Sequence, residues 1–274
     1  MKYNIGIIGL GYVGSAVLNA FKNENIFSYD INGSGTEKNL KNLTEKSDII
    51  FLCVPTPMNK DGSCSIEIVK SVLIDIQSIS KKKEVVIKST VPPGTCDMLS
   101  KIFPKLNLVF NPEFLTEANF NEDFLNQDRI ILSGKNTLLT TSLYKKYFPK
   151  ADLFQLKHKE AEMVKYFSNC FLALKVSFAN EIHSLCLDMN INYEQVMKTA
   201  STDQRIGPSH LNVPGPDGKM GFGGSCFPKD VSALLTVFFE NKNQSYILKS
   251  VWERNKKVDR PEQDWKKLKG RSIV

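Results

Sequence analysis

Apolar and polar positions along this chain follow two different rhythms. Through the first half, short and nearly unbroken apolar runs recur at 3–9, at 26–30 ending on Asp30, and at 48–54, 84–89, 106–110 and 129–133. Runs of this length rich in Ile, Val and Phe predict buried strands. The stretches between them, notably 65–80 and 95–103, predict helices, as does the segment that closes at Phe21. From about His158 the period changes. Val164, Phe167, Phe171, Leu174, Phe178, Ile182, Leu185 and Met189 step by threes and fours with no Gly or Pro between them. That spacing predicts one helix, roughly 45 Å long at about 1.5 Å per residue. Such a helix outruns the face of one domain, so it either bridges domains or pairs with a second copy. Beyond it, helices are predicted at 193–201, after Pro228, and from a capping Ser245 to about Asp259, with turn-rich loops at 203–208 and 210–218.

Strands that alternate with helices predict an α/β fold with a doubly wound parallel sheet. The first strand runs into GLGYVG, with glycines at Gly9, Gly11 and Gly14, and this opens a helix. Glycines in that context bring backbone amides against a pyrophosphate at a helix N-terminus. Asp30 ends the next strand at the spacing of about 20 residues expected for a carboxylate on the adenosine ribose. Its charge repels a 2′-phosphate, which favours NAD over NADP. Ligands in such sheets bind beyond the carboxyl ends of strands. The segments there are ValProThrPro at 54–57, SerThrValProProGly at 89–94 and AsnProGluPheLeuThrGlu at 111–117. Thr90, Glu113 and Glu117 become polar groups at that edge. Glu113 and Glu117 share a face if helical, and the pair equally suits solvated acids at a helix start. Lys165 and Asn169 stand one turn apart on the long helix, off its apolar stripe. On spacing alone they form an exposed polar pair.

The segment Gly221–Asp230, GFGGSCFPKD, places Cys226 at the start of a helix opened by Pro228, with Lys229 in its first turn. A helix start and a nearby ammonium both favour thiolate over thiol. Asp230 is four residues on, within reach of a water beside the sulfur. The glycines at 221, 223 and 224 let backbone and ligand approach closely. A small core cysteine beside an ordinary glycine turn fits the decapeptide as well.

The bulk numbers narrow the class. The chain has 274 residues, 42% of them hydrophobic, enough for one large domain or two modest ones. No continuous apolar run reaches a membrane span of about 18 to 20 residues, and the N-terminus lacks a signal-peptide pattern. Six cysteines show neither paired CxxC spacing nor the density of a disulfide scaffold, which gives no metal set and a reducing cytoplasm as the expected home. The net charge of +7 is spread along the chain, densest at 81–83 and after 254. It gives solubility and suits small anionic ligands, with no aromatic-interleaved basic patch for nucleic acid.

Taken together, GLGYVG, ValProThrPro, SerThrValProProGly, AsnProGluPheLeu, LysTyrPheSerAsn, ArgIleGly and GFGGSCFPKD occur in an order that resembles the UDP-glucose/GDP-mannose dehydrogenase family. The ValProGlyProAspGly segment ahead of the cysteine is most similar to its UDP-glucose 6-dehydrogenase branch. The resemblance implies a Rossmann-like NAD-binding domain over 1–157 and a helical central and dimerisation domain over 158–260. It makes 261–274 the start of a C-terminal nucleotide-binding domain that the chain otherwise lacks. It implies oxidation of a nucleotide sugar's C6 alcohol to a carboxylate with two NAD. By that resemblance the expected nucleotide sugar is UDP-glucose, with UDP-N-acetylhexosamine or GDP-mannose as alternatives. By the same resemblance Cys226 matches the nucleophile, Asp230 its water-activating partner, Lys165 and Asn169 the oxyanion pair, Glu117 the hydrolytic acid and Thr90 its positioning neighbour. Cofactor contacts fall on Gly9, Gly11, Tyr12, Val13, Gly14, Asp30, Pro55, Thr56, Ser89, Thr90 and Lys229. Substrate contacts fall on Glu113, Phe114, Leu115, Lys165, Arg205, Phe222 and Gly223. Arg205 matches a residue that reaches the neighbouring subunit's substrate, which implies a homodimer built on the long helix. The missing domain implies a separate chain that supplies it, a shortened enzyme, or a non-catalytic NAD-binding dimerisation subunit.

Overall fold

The computed structural model describes residues 2–80 and 83–274, so Lys81 and Lys82 of the 81–83 cluster lie outside the described residues. Contacts divide the chain into two units. The first comprises Met1–Thr56 and Ile66–Lys165, the second Pro57–Ser65 and Tyr166–Val274.

The first unit is built on strands β1 (Asn4–Ile8), β2 (Asn25–Tyr29), β3 (Ile49–Leu52), β4 (Glu84–Ile87), β5 (Asn107–Phe110), β6 (Arg129–Ser133) and β7 (Asp152–Leu156). They lie in the order β2-β1-β3-β4-β5-β6-β7. Neighbours are parallel except β5 and β6, which meet antiparallel at Phe110 and Ser133. From β1 the chain goes to one side for β2 and to the other for β3, so the order reverses beside β1, where a doubly wound sheet binds ligands.

The short apolar runs arise because both faces are covered. Successive side chains point to opposite faces, and Ile50, Leu52, Val85, Ile87, Leu108 and Phe110 join one core. Ile49, Phe51, Val86 and Val109 join the other. Helices α3 (Glu67–Ile79) and α4 (Thr95–Ile102) give Val69, Leu73, Ile76 and Leu99 to the first core. Helices α1 (Tyr12–Ala20), α5 (Phe120–Leu125) and α6 (Leu138–Tyr147) give Ala16, Val17, Phe124 and Leu143 to the second.

Helix α2 (Leu40–Lys46), α5, α6 and β7 were not predicted from the sequence pattern. Helix α2 is capped by Asn39, whose side chain accepts from the Asn42 N–H at 2.9 Å, a local signal of the kind caps provide. Strand β7 pairs with β6 alone and is largely exposed, so it carries no apolar run.

Helix α7 (His158–Asp188) gives residues 158–165 to the first unit and the remainder to the second. Its mean hydropathy reaches 1.2 over eighteen residues, enough by length and composition for a membrane span. Several of its polar side chains nonetheless face protein: Glu162, Lys165, Asn169, Ser177 and Asn180 are all buried.

The second unit adds α8 (Tyr193–Ala200), α9 (Phe227–Glu240) and α10 (Tyr246–Arg254). Tyr166, Cys170, Ala173, Phe222, Val231, Ala233, Leu234 and Val251 form its core. The helix expected to run to Asp259 changes after Arg254 into a π-helical turn, Asn255–Asp259, and Ser245 makes no side-chain cap. The last residues do not extend as a free strand. Met58 N–H donates to the Ser272 carbonyl at 2.8 Å and Val274 N–H to the Met58 carbonyl at 3.1 Å.

Candidate functional site

In the first unit, the glycine loop after β1 is shaped partly by the protein itself. Gly9 has φ of +89°, and a Cβ there would lie 2.6 Å from the Cys53 carbonyl oxygen. A Cβ on Gly14 would lie 1.8 Å from the Gly9 carbonyl oxygen. Gly11 differs, because a Cβ there meets no atom within 4 Å. It stands at the N-cap position of α1, which makes no side-chain hydrogen bond. A glycine that the chain's own packing does not require, at such a start, fits a phosphate group laid against the backbone. The Asp30 carboxylate accepts from the Leu10 N–H at 2.6 Å and the Asn32 N–H at 3.0 Å, which fixes it beside the same loop.

The loops after β3 and β4 are tied together. Thr56 Oγ1 donates to the Thr90 carbonyl at 2.7 Å and Ser89 Oγ to the Val54 carbonyl at 2.6 Å. Thr56, Ser89 and Thr90 are buried, while Pro55 is exposed. These bonds fix the two loops at the carboxyl ends of β3 and β4, the edge at which such a sheet takes a ligand.

After β5 the residues from Glu113 to Glu117 are not helical. Pro112 disfavours helical geometry at Asn111, and the Glu113 carboxylate turns back to accept the Leu115 N–H at 2.7 Å, a local bond that competes with helix. Glu113 is buried and its second oxygen accepts from Lys165 Nζ at 2.9 Å. Glu117 is exposed, so the two acids share no face. Lys165 is itself buried, which overturns the exposed pair expected from spacing, and its ammonium lies 5.4 Å from the centre of the half-buried Phe114 ring. Burial opposes charge on Glu113, but the Lys165 ammonium, the Leu115 N–H and the Lys88 charge hold its pKa below the ordinary value.

Two polar residues here escaped the sequence reading. Lys88 is buried, donates to Asn111 Oδ1 at 2.9 Å and lies 5.3 Å from the Phe124 ring centre. Burial lowers its pKa to about 8, against the opposing pull of Cys53 and Glu113. Glu162 accepts from the Gly94 and Cys96 N–H groups at the start of α4. Burial outweighs those bonds and raises its pKa to about 7. Their only sequence signal is a charged residue inside an apolar segment, whose partner is remote in the chain.

In the second unit, Cys226 is the residue at which α9 begins, with Pro228 in the first turn. All six cysteines are free thiols. Asp230 is buried. Its carboxylate accepts from Asn169 Nδ2 at 2.6 Å on one oxygen and from Lys229 Nζ at 2.5 Å on the other. Asn169 is thus also buried, and its amide is directed by Asp230. Burial works against the Lys229 charge, yet Asp230, with Cys226 and Cys64, raises its pKa above the ordinary value. Phe222 is buried and Gly223 half-buried. Two glycines of this loop, Gly221 and Gly223, are hemmed in by the protein's own side chains. A Cβ on Gly221 would lie 2.4 Å from Asn255 Oδ1, and one on Gly223 would lie 2.5 Å from Arg260 Cζ. Arg205 is exposed and ion-paired with Asp203.

A mostly parallel sheet with a glycine-rich loop after its first strand, followed by a helical unit bearing a cysteine at a helix start, is the arrangement of a doubly wound fold joined to a helical unit. Residues 34–149 match the NAD binding domain, and residues 159–257 the central domain, of the UDP-glucose/GDP-mannose dehydrogenase family. A UDP-glucose 6-dehydrogenase of Campylobacter jejuni is 33% identical over 92% of this chain and 71% of its own. The chain belongs to this family. A UDP-glucose 6-dehydrogenase of Rickettsia bellii is 38% identical over 77% of this chain and 50% of its own. The chain therefore spans about half the length of several relatives it matches. The structure of a UDP-glucose dehydrogenase from Pyrobaculum islandicum aligns with a TM-score of 0.83 at 29% identity, covering 93% of this chain and 68% of the other.

The two glycines give opposite expectations. Gly14→Ala drives a methyl group into the Gly9 carbonyl and lowers the thermal midpoint by several degrees, while Gly11→Ala leaves it nearly unchanged and weakens NAD binding about tenfold or more. Calorimetry with and without NAD separates them, and equal NAD affinity in Gly11→Ala and the wild type would remove the phosphate role.

Glu113 gives a pH expectation. Its folded pKa lies below the unfolded value of 4.5, so its contribution to stability is present above that value and lost as pH falls through the folded one. Glu113→Gln, which leaves Lys165 buried without its counter-charge, costs about 3 kcal/mol near neutral pH. That gap narrows below about pH 4.5 in urea titrations. A gap independent of pH would show that Glu113 is not ionised in the fold.

Proposed function

We propose that this chain carries the chemical centre of an NAD-dependent nucleotide-sugar 6-dehydrogenase that oxidises the C6 alcohol of UDP-glucose to the carboxylate. The observation that carries the reading is the start of α9, where Cys226 is followed by the buried Lys229–Asp230–Asn169 chain in a protein with an NAD binding domain. NAD supplies the hydride acceptor for both oxidation steps. The part of this chain's residues is to activate the alcohol, hold a carbonyl carbon and admit water.

In this reading the Asp230 carboxylate, fixed from both sides, holds a water beside the sugar hydroxyl and takes up its proton. The Cys226 thiolate adds to the aldehyde carbon and gives a thiohemiacetal, and further oxidation gives a thioester on the same sulfur. The Lys165 ammonium, aimed by Glu113, and the Asn169 amide, aimed by Asp230, serve the developing alkoxide as fixed donors. Glu117, whose exposure leaves it open to water, directs hydrolysis, and Thr90 steadies that step. Phe114, Leu115, Phe222 and Gly223 border the sugar, and Arg205 reaches a second subunit's substrate. A cytoplasmic location accords with six reduced cysteines.

The same reading makes the protein a homodimer. Phe171, Phe178 and Leu185 recur every seventh residue on α7 and are 51%, 59% and 52% exposed, with Phe167 stacked on Phe171. A continuous apolar stripe of that length marks an interaction face, and the self-matching partner is a second α7.

Mixing the purified chain with NAD and UDP-glucose should yield two NADH per sugar, and Cys226→Ser should lower turnover by about 10³ or more. NAD binding without turnover of any nucleotide sugar would instead identify a non-catalytic NAD-binding subunit. Light scattering tests the dimer: Phe171→Glu with Phe178→Glu should give a folded monomer, and an unchanged mass would place the interface elsewhere.

A further inference from the structure

The loop ahead of Cys226 is held from behind by the segment that follows α10. Asn255 opens the π-helical turn and is fully buried. Its Oδ1 accepts the Phe222 N–H at 2.8 Å, and its Nδ2 donates to the Phe222 carbonyl at 3.0 Å. One side chain thus satisfies both main-chain groups of a single residue, as a paired strand would. Asn180 of α7 takes the neighbouring Gly221 N–H at 3.0 Å. Arg260, at the end of the same turn, lays its guanidinium against Gly223 and anchors it to Asp217 and Asp264.

Two features separate this from ordinary core packing. The α-helical path of α10 gives way to the wider π-helical turn at the residue that meets Phe222, and such turns recur at functional sites. The approach of the amide is also close enough that only glycine fits at 221, so loop sequence and clamp are matched to each other. Three residues separate Phe222 from the cysteine. They are Gly223, Gly224 with φ of +72°, and Ser225, whose Oγ is 3.8 Å from the Cys226 sulfur. Glycines allow many paths, so a path that returns the sulfur to one place needs a fixed upstream end.

We propose that Asn255 is a positioning residue for Cys226. By holding both main-chain groups of Phe222 it sets the course of 221–225, and with it the place of the thiol at the start of α9 beside Lys229. The inference rests on the reading of Cys226 as the nucleophile.

Iodoacetamide labelling of the full chain, with the Cys226 peptide followed by mass spectrometry between about pH 6 and pH 9, tests both. Asn255→Ala should slow Cys226 labelling at neutral pH about fivefold or more and move its rate profile to higher pH, while NAD affinity stays unchanged. Asn255→Asp keeps the acceptor for the Phe222 N–H but turns a carboxylate on the Phe222 carbonyl. It should act in the same direction, and it remains readable if the alanine variant does not fold. Val251→Ala, a truncation in the same unit's core, controls for lost stability and should leave the profile in place. An unchanged profile in both Asn255 variants, or an equal shift in Val251→Ala, overturns the positioning role. A wild-type Cys226 that labels no faster than an ordinary free thiol overturns the nucleophile reading, and this inference with it.

Discussion

The constraint on which the rest depends is the burial of charge along α7. An ionised group removed from water is costly unless a counter-charge or several hydrogen bonds replace the solvent. This one helix carries buried polar side chains in both units, and each unit answers them with its own elements. In the first, Lys165 is matched by Glu113 from the loop after β5, and Glu162 by the leading amides of α4. In the second, Asn169 is drawn to Asp230, whose other oxygen holds Lys229. Truncating Glu113 removes the counter-charge of the buried Lys165, and truncating Asn169 removes one of two donors to the buried Asp230 carboxylate. These side chains are therefore held in fixed directions, which an oxyanion donor or a proton acceptor requires if it is not to reorganise during reaction.

The glycine-rich loops show the same economy in two forms. At Gly9 the Cys53 backbone and at Gly14 the Gly9 carbonyl leave no room for a side chain, and at Gly221 and Gly223 the limit is set by Asn255 and Arg260. Gly11 alone among these faces open space. Glycine-rich loops thus differ in what each glycine answers to, and only the neighbours of each absent Cβ tell them apart.

Much of the fold was legible in the sequence because buried parallel strands leave dense apolar runs, and a long helix leaves an unbroken period of threes and fours. β1 to β6 and α7 were found in this way. β7 was not, because an exposed edge strand carries polar residues on both faces. The loop at Cys226 was visible through its Pro and its glycines, which act locally. Lys165 and Asn169 were misjudged from spacing, since their partners are 52 and 61 residues away. Lys88 and Asn255 left no trace for the same reason: a lone Lys in a strand, or a lone Asn after a helix, says nothing of where its hydrogen bonds go. The shared face that Glu113 and Glu117 would have on a helix does not arise, because Pro112 and a carboxylate turning back on its own backbone compete with the helical bond.

The central claim is that the Cys226 sulfur, at the start of α9, becomes covalently bound to the sugar. Acid quenching during incubation with NAD and UDP-glucose, followed by peptide mass mapping, addresses it directly. The account predicts a sugar-nucleotide mass on the peptide that contains Cys226 and on no other cysteine. NADH accumulating while that peptide remains unmodified throughout, or an adduct on a different cysteine, would contradict it.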